Sequence, residues 1–177
     1  ALMIMPLPDP IISASNAEVK RLRSLHERKY RRQTGWFLAE GTKTCIEAVE
    51  LGWRLHRLAF LDGRGGDRMV RPLLAALDCD SGRALPMTES LLSRISGKDN
   101  PQMVLGAFEQ RWQGPGRITP DADRCWIALD RVRDPGNLGT IMRTADATVA
   151  RGIILIGDCT DPYSVEAVRA SMGAVFN

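Results

Sequence analysis

From Leu138 onward, apolar residues fall at Leu138, Ile141, Met142, Ala145 and Val149, a spacing that lines one side of a helix. The pattern predicts a helix over 138–150, with Gly139, Arg143 and Asp146 together on the opposite face. Before it, Trp126–Leu129 is a short apolar run that reads as a buried strand. Asp134-Pro135-Gly136-Asn137 lies between them and has turn chemistry. Pro presets φ, Gly permits positive φ, and Asn137 can cap the helix that follows. Strand, tight turn and helix mouth in this order mark where α/β sheets bind ligands, beyond the carboxyl ends of their strands.

The rest of the chain alternates in the same way. Ile11–Ser15 reads as an extended lead-in, and 16–29 as a helix capped by Asn16, with Val19, Leu22 and Leu25 apolar. Trp36–Ala39 reads as a strand, Thr42–Leu51 as a helix closed by Gly52, and Leu55–Leu61 as a second strand. Helices are expected over Val70–Leu77 and over Thr88–Ile95, capped by Thr88, and a strand over Met103–Phe108. Gly152–Gly157 reads as a strong buried strand, followed by a helix capped by Ser164 with Val165, Val168 and Met172 apolar. Ala174–Phe176 is expected to open a third strand.

Alternating strands and helices predict an α/β fold. Residues 110–123 are rich in Gly, Pro and polar side chains and mark a boundary. The expected organisation is a small N-terminal α/β domain over 1–112, a linker over 113–123, and a parallel-sheet α/β domain over 124–177. The last segment holds only two βα units, too little chain to cover both faces of a parallel sheet, so the chain is expected to stop inside a domain.

Composition excludes some classes. No apolar run approaches the ~18 residues of a membrane helix, and ALMIMPLP lacks the basic lead of a signal peptide and reads as a loose terminus. Cys45, Cys79, Cys125 and Cys159 are singly spaced, without a CxxC pair, so no metal site is expected. They read as buried reduced thiols of a cytoplasmic protein. The net charge is +3, but 20–32 holds seven Lys/Arg against Glu27 alone, a local +6 that leaves −3 elsewhere. That concentration suggests a polyanion contact. Lys20, Arg28, Arg31 and Arg32 are the candidate RNA-binding cations, with Tyr30 and Trp36 able to stack on unpaired bases. A solvated helix face gives the same composition. Glu40, at a strand end before Gly41, could orient an Arg or a ribose hydroxyl, or simply favour a helix start.

Taken alone, DPGNLG is a turn; it is neither GxGxxG nor a P-loop. Two stretches at this spacing carry more. LDRVRDPGNLGTIMRTADA and DPYSVEAVRASMGAVF together resemble the first two motifs of the SpoU (TrmH-like) RNA ribose methyltransferases. KRLRSLHERKYRRQTGWFLAEGTKTCIEA and ISGKDNPQMVLGAF resemble the substrate-binding domain that precedes the catalytic domain in many members. The resemblance implies a methyltransferase domain with a C-terminal trefoil knot, S-adenosylmethionine as cofactor, a homodimer, and a 2′-O-methylated ribose in rRNA or tRNA as product. By position, it assigns Asn137 and Arg143 to the first motif as catalytic residues, and Arg169 and Ser171 to the second as RNA-binding residues. The GNEGxG-like third motif and the closing SLNVSxA-like helix do not occur in this chain, so the cofactor pocket is expected beyond Asn177.

Methyl transfer needs the ribose oxygen to meet the methyl in line while its proton leaves. The resemblance places Arg143 at that step. A guanidinium keeps its proton in proteins and is a reluctant base. Two roles stay open: proton acceptor in a desolvated site, or a fixed cation that stabilises the developing alkoxide while water or phosphate takes the proton. The second is physically the easier. The sulfonium already activates the methyl, so no metal is needed. A non-catalytic RNA-binding module is the main alternative; an unrelated nucleotide-binding α/β enzyme is disfavoured by the absence of a phosphate-cradling Gly-Lys pattern.

Overall fold

The computed structural model describes residues 6–78, 80–120 and 122–177. The first five residues and Cys79, read above as part of a loose terminus and as a buried thiol, lie outside the described residues. The chain forms two compact units, one through Glu109 and one from Gln110. Each is described by itself.

The first unit is built on a four-stranded mixed sheet of β1 (Trp36–Glu40), β2 (Leu55–Leu61), β3 (Ala84–Met87) and β4 (Val104–Glu109), in the order β1-β4-β2-β3. β4 runs antiparallel to β1 and β2, and β3 parallel to β2. Helices α1 (Ala17–Ser24), α2 (Arg28–Thr34), α3 (Thr42–Glu50), α4 (Arg71–Ala75) and α5 (Glu89–Ser96) complete the unit. Phe37, Phe60, Phe108, Leu58 and Leu92 are fully buried in its core. Each such side chain contributes about 1.5–3 kcal/mol by leaving water.

Two departures from the sequence pattern have clear causes. The helix expected over 16–29 is capped by Asn16, whose Oδ1 accepts the Glu18 N–H at 2.8 Å, but it breaks after Ser24 and restarts at Arg28. Buried Arg31 secures the break, donating from Nη1 to the carbonyls of Leu25 at 2.9 Å and His26 at 2.8 Å. β3 has no alternating pattern and contains Pro86, because all four of its residues are buried and it lies at the sheet edge. There a missing N–H is tolerated, and the Pro86 carbonyl accepts the Ile11 N–H at 2.8 Å.

The second unit pairs β5 (Trp126–Asp130) with β6 (Gly152–Ile156) in parallel. Helices α6 (Pro135–Ala147) and α7 (Val165–Ser171) follow these strands. Leu138, Met142 and Ala167 form the core, with Leu129, Ile153 and Leu155 packed against it. The sequence pattern expects both strands to be buried. Instead, the alternation sends Leu129, Ile153 and Leu155 to the helices, while Ala128 and Ile156 on the other face are exposed. Ala174–Phe176 is a 3-10 turn and not a third strand. Met172 and Gly173 both take left-handed backbone, at φ 50° and 97°, which turns the chain before an extended segment can begin. Met172 therefore leaves the apolar stripe and is exposed.

Candidate functional site

α6 begins at Pro135, three residues earlier than its apolar stripe suggests. Asp134 is the cap: its Oδ1 accepts the Asn137 N–H at 2.7 Å, and Pro135 occupies the first helical position, where a missing N–H costs nothing. Asn137 is thus not the cap. It lies in the first turn with its side chain exposed. Arg143 is also exposed and makes no ion pair among the described residues. Six residues of helix put these two about 9 Å apart along the axis.

Gly139 does not share the exposed face with Arg143. It is buried where α6 crosses α7. A Cβ there would lie 2.3 Å from the Ala170 Cβ, 2.7 Å from its carbonyl carbon and 2.8 Å from the Ser171 nitrogen. The two motif helices therefore touch backbone to backbone, which only glycine permits. Asp146 is tied down as well, accepting from Asn177 Nδ2 at 3.1 Å.

α7 is capped by Ser164, whose Oγ accepts the Ala167 N–H at 3.2 Å. Arg169 is half-buried in its last turn. Ser171, expected on the polar side, is fully buried, and its hydroxyl donates to the Val168 carbonyl at 2.7 Å. That hydroxyl is a helix-end brace in this structure. Ahead of α7, buried Tyr163 donates its hydroxyl to the Arg111 carbonyl at 2.6 Å and accepts the Arg111 N–H at 3.0 Å. Burial pushes the Tyr163 phenol up to about 12. Trp112 packs edge-on against it at 5.2 Å. Fifty-two residues separate the partners of this clasp, and no local pattern announces it.

In the first unit, Lys20, Arg28 and Arg32 are exposed, as a polyanion contact requires. Arg31 is not available to one: it is 3% exposed and bound to the carbonyls of the α1–α2 turn. Tyr30 is exposed, with the Lys29 ammonium 5.7 Å from its ring centre. Trp36 stacks instead on His56, ring centres 4.4 Å apart, and carries the Arg57 guanidinium at 5.3 Å. Arg57 is held in turn by Glu18 at 3.0 Å. Glu40 has a structural task. Its Oε1 accepts from Ser96 Oγ at 2.9 Å and from the Gln102 N–H at 3.1 Å, and Lys98 Nζ lies 3.5 Å from Oε2.

Residues 16–106 match the MRM3-like substrate binding domain, and residues 124–177 match the SpoU rRNA Methylase family. The chain belongs to the SpoU methylase family. An uncharacterized tRNA/rRNA methyltransferase of Synechocystis is 36% identical over 93% of this chain and 58% of its own length. A 23S rRNA uridine 2′-O-methyltransferase of Streptomyces viridochromogenes is 31% identical over 94% of this chain and 58% of its own. The crystal structure of an AdoMet-bound rRNA methyltransferase from Sinorhizobium meliloti superposes with a TM-score of 0.84 at 45% identity. It covers 95% of this chain and 62% of the solved one. The chain thus spans about three-fifths of the length of these relatives.

Proposed function

We propose that this protein transfers a methyl group from S-adenosylmethionine to a ribose 2′-OH of rRNA, 23S rRNA being the first substrate to test. One observation carries the reading. Arg143, the motif arginine, stands exposed and, among the described residues, without an ion pair on the helix that follows the carboxyl end of β5, within the segment that matches the SpoU family. Relatives named as 23S rRNA 2′-O-methyltransferases support the choice of substrate.

In this reading Arg143 stays charged and stabilises the oxygen as the 2′-OH loses its proton to water or a phosphate. Asn137, about one and two-thirds turns earlier, positions the surroundings of Arg143 or the subunit interface. The cofactor supplies a methyl already activated on a sulfonium. The described residues do not enclose it: Asp130, Arg131, Gly157 and Asp158 at the strand ends are exposed. No part of its binding is assigned to them. Lys20, Arg28 and Arg32 contact RNA phosphates in the first unit, and Arg169 contacts RNA in the second. The domain division at 113–123, a trefoil knot, a homodimer and a cytoplasmic location complete the reading. The knot and the dimer are supported by the family resemblance, and the location by free Cys45, Cys125 and Cys159.

The test is to incubate a complete version of the protein, carrying the cofactor pocket expected beyond Asn177, with a 23S rRNA transcript and methyl-labelled S-adenosylmethionine, then hydrolyse the RNA with alkali. Label in alkali-resistant dinucleotides is expected, because a 2′-O-methyl blocks cleavage. RNA bound without label transfer would support the non-catalytic module instead.

A further inference from the structure

The basic stretch of α1 and α2 does not end where its sequence ends. We propose that the loop Gly97–Gln102 is a second RNA-contacting element of the first unit, shaped by Glu40 and His26 and continuous with the α1–α2 turn. The proposal rests on the RNA-binding reading above and adds a surface to it.

The loop is exposed from Gly97 to Asn100 and again at Gln102, yet it is held at several points. The Ser93 hydroxyl donates to the Lys98 carbonyl at 2.7 Å. Glu40, with a side chain 6% exposed, takes the Ser96 hydroxyl on one side of the loop and the Gln102 N–H on the other. Lys98 Nζ lies 3.5 Å from its second oxygen. A buried carboxylate placed this way fixes both ends of a polar loop and orients one lysine. An exposed loop with no task gains little from such bracing.

His26 makes the connection to the basic stretch. It sits in the turn between α1 and α2, and its Nε2 is 2.7 Å from the Ile95 carbonyl near the end of α5. Gly97 takes left-handed backbone at φ 74°, and a Cβ there would lie 3.4 Å from His26 Cε1. Arg31 locks the same turn from beneath through the Leu25 and His26 carbonyls. Exposed Arg28 and Lys29 follow this turn in the chain, and exposed Arg94 and Lys98 lie within three residues of Ile95, whose carbonyl His26 meets. Cations some seventy positions apart in sequence thereby border one turn. Asp99 cancels Lys98 in the net charge of the loop, and Glu40 already holds the Lys98 ammonium from below. The loop is therefore suited to one phosphate contact from Lys98 and hydrogen bonds from Asn100 and Gln102, and not to general attraction. Its partner is RNA with unpaired bases, whose edges such amides can reach.

The test measures affinity of the full chain for a 23S rRNA transcript across a salt series, with Lys98→Gln, Asn100→Ala, Glu40→Ala and Arg28→Gln. Lys98→Gln should reduce the magnitude of the log K against log salt slope by about 0.7, one single-strand phosphate contact. Asn100→Ala should weaken binding about tenfold with the slope unchanged, the lower part of the range for a base contact. Glu40 is a positioning residue: Glu40→Ala should lose affinity together with hydrogen-exchange protection at the Gln102 amide. If Glu40→Ala fails to fold, the two loop variants decide. Wild-type affinity and slope in Lys98→Gln and Asn100→Ala, with Arg28→Gln impaired, overturn the loop and leave the RNA reading standing. Wild-type binding in all the variants, or no binding by the parent chain, overturns both.

Discussion

Arg31 and Arg32 are neighbours in sequence and opposites in role. Arg31 is buried and spends its guanidinium on two carbonyls freed by the end of α1, while Arg32 faces solvent. Charged hydrogen bonds of this kind contribute enough that Arg31→Ala should cost about 2–3 kcal/mol in urea unfolding, whereas Arg32→Ala should stay within about 0.5 kcal/mol. Similar costs for both would mean that the turn does not depend on Arg31. The sequence shows where the cations are. It does not show which one the backbone consumes, because that depends on a helix break that the apolar stripe runs through. Ser171 and Glu40 are illegible for the same reason: each is a polar residue whose partner is set by packing. His56 belongs to this scale too. Burial lowers its pKa, and Arg54 and Arg83 add to the effect against the pull of Glu109, whose Oε2 lies 3.3 Å away without a well-formed hydrogen bond. The fold therefore prefers neutral His56. Its contribution to stability should be complete above the unfolded value near 6.5 and should fall as pH drops from there to the folded pKa. A His56→Gln variant should lose that part of the pH dependence of unfolding; an unchanged profile would assign it to other groups.

Elements were legible where a cap met an amphipathic stripe. Asn16, Thr88 and Ser164 each cap the helix expected of them. β3 was not legible, since four buried residues with a proline lack both alternation and length. The segment 174–176 misled because an apolar tripeptide does not reveal the two left-handed residues before it. The turn at 134–137 was legible as a turn, but the helix claims three of its residues, because Asp134 reaches the cap before Asn137 can. Gly139 gives the sharpest test at this scale. Gly139→Ala forces α6 and α7 apart and should cost at least about 1–3 kcal/mol, as overpacking does. Ala170→Gly should restore only part of it, because the Ala170 carbonyl carbon and the Ser171 nitrogen would still lie 2.7 and 2.8 Å from the new Cβ. Full rescue in the double variant would show that the side chain alone sets the spacing.

At the scale of the whole molecule, two α/β units carry separate chemistry: cations and a braced polar loop in the first, two motif helices packed at a glycine in the second. The paired motifs made the family legible, whereas the sites inside each unit needed the fold. Replacing Lys20, Arg28 and Arg32 together by Gln should weaken RNA binding and lower its salt slope by about 0.7 for each phosphate left without its cation; an unchanged slope would remove these residues from the interface. The central claim concerns Arg143, and the most direct measurement compares Arg143→Ala with the parent, both in a complete version that carries the cofactor pocket, for methyl transfer to 23S rRNA and for RNA affinity. The account predicts that transfer is abolished while affinity stays within about twofold, since removing an interaction made only in the transition state lowers the rate without changing ground-state binding. Parallel loss of both, or transfer that persists, would contradict it.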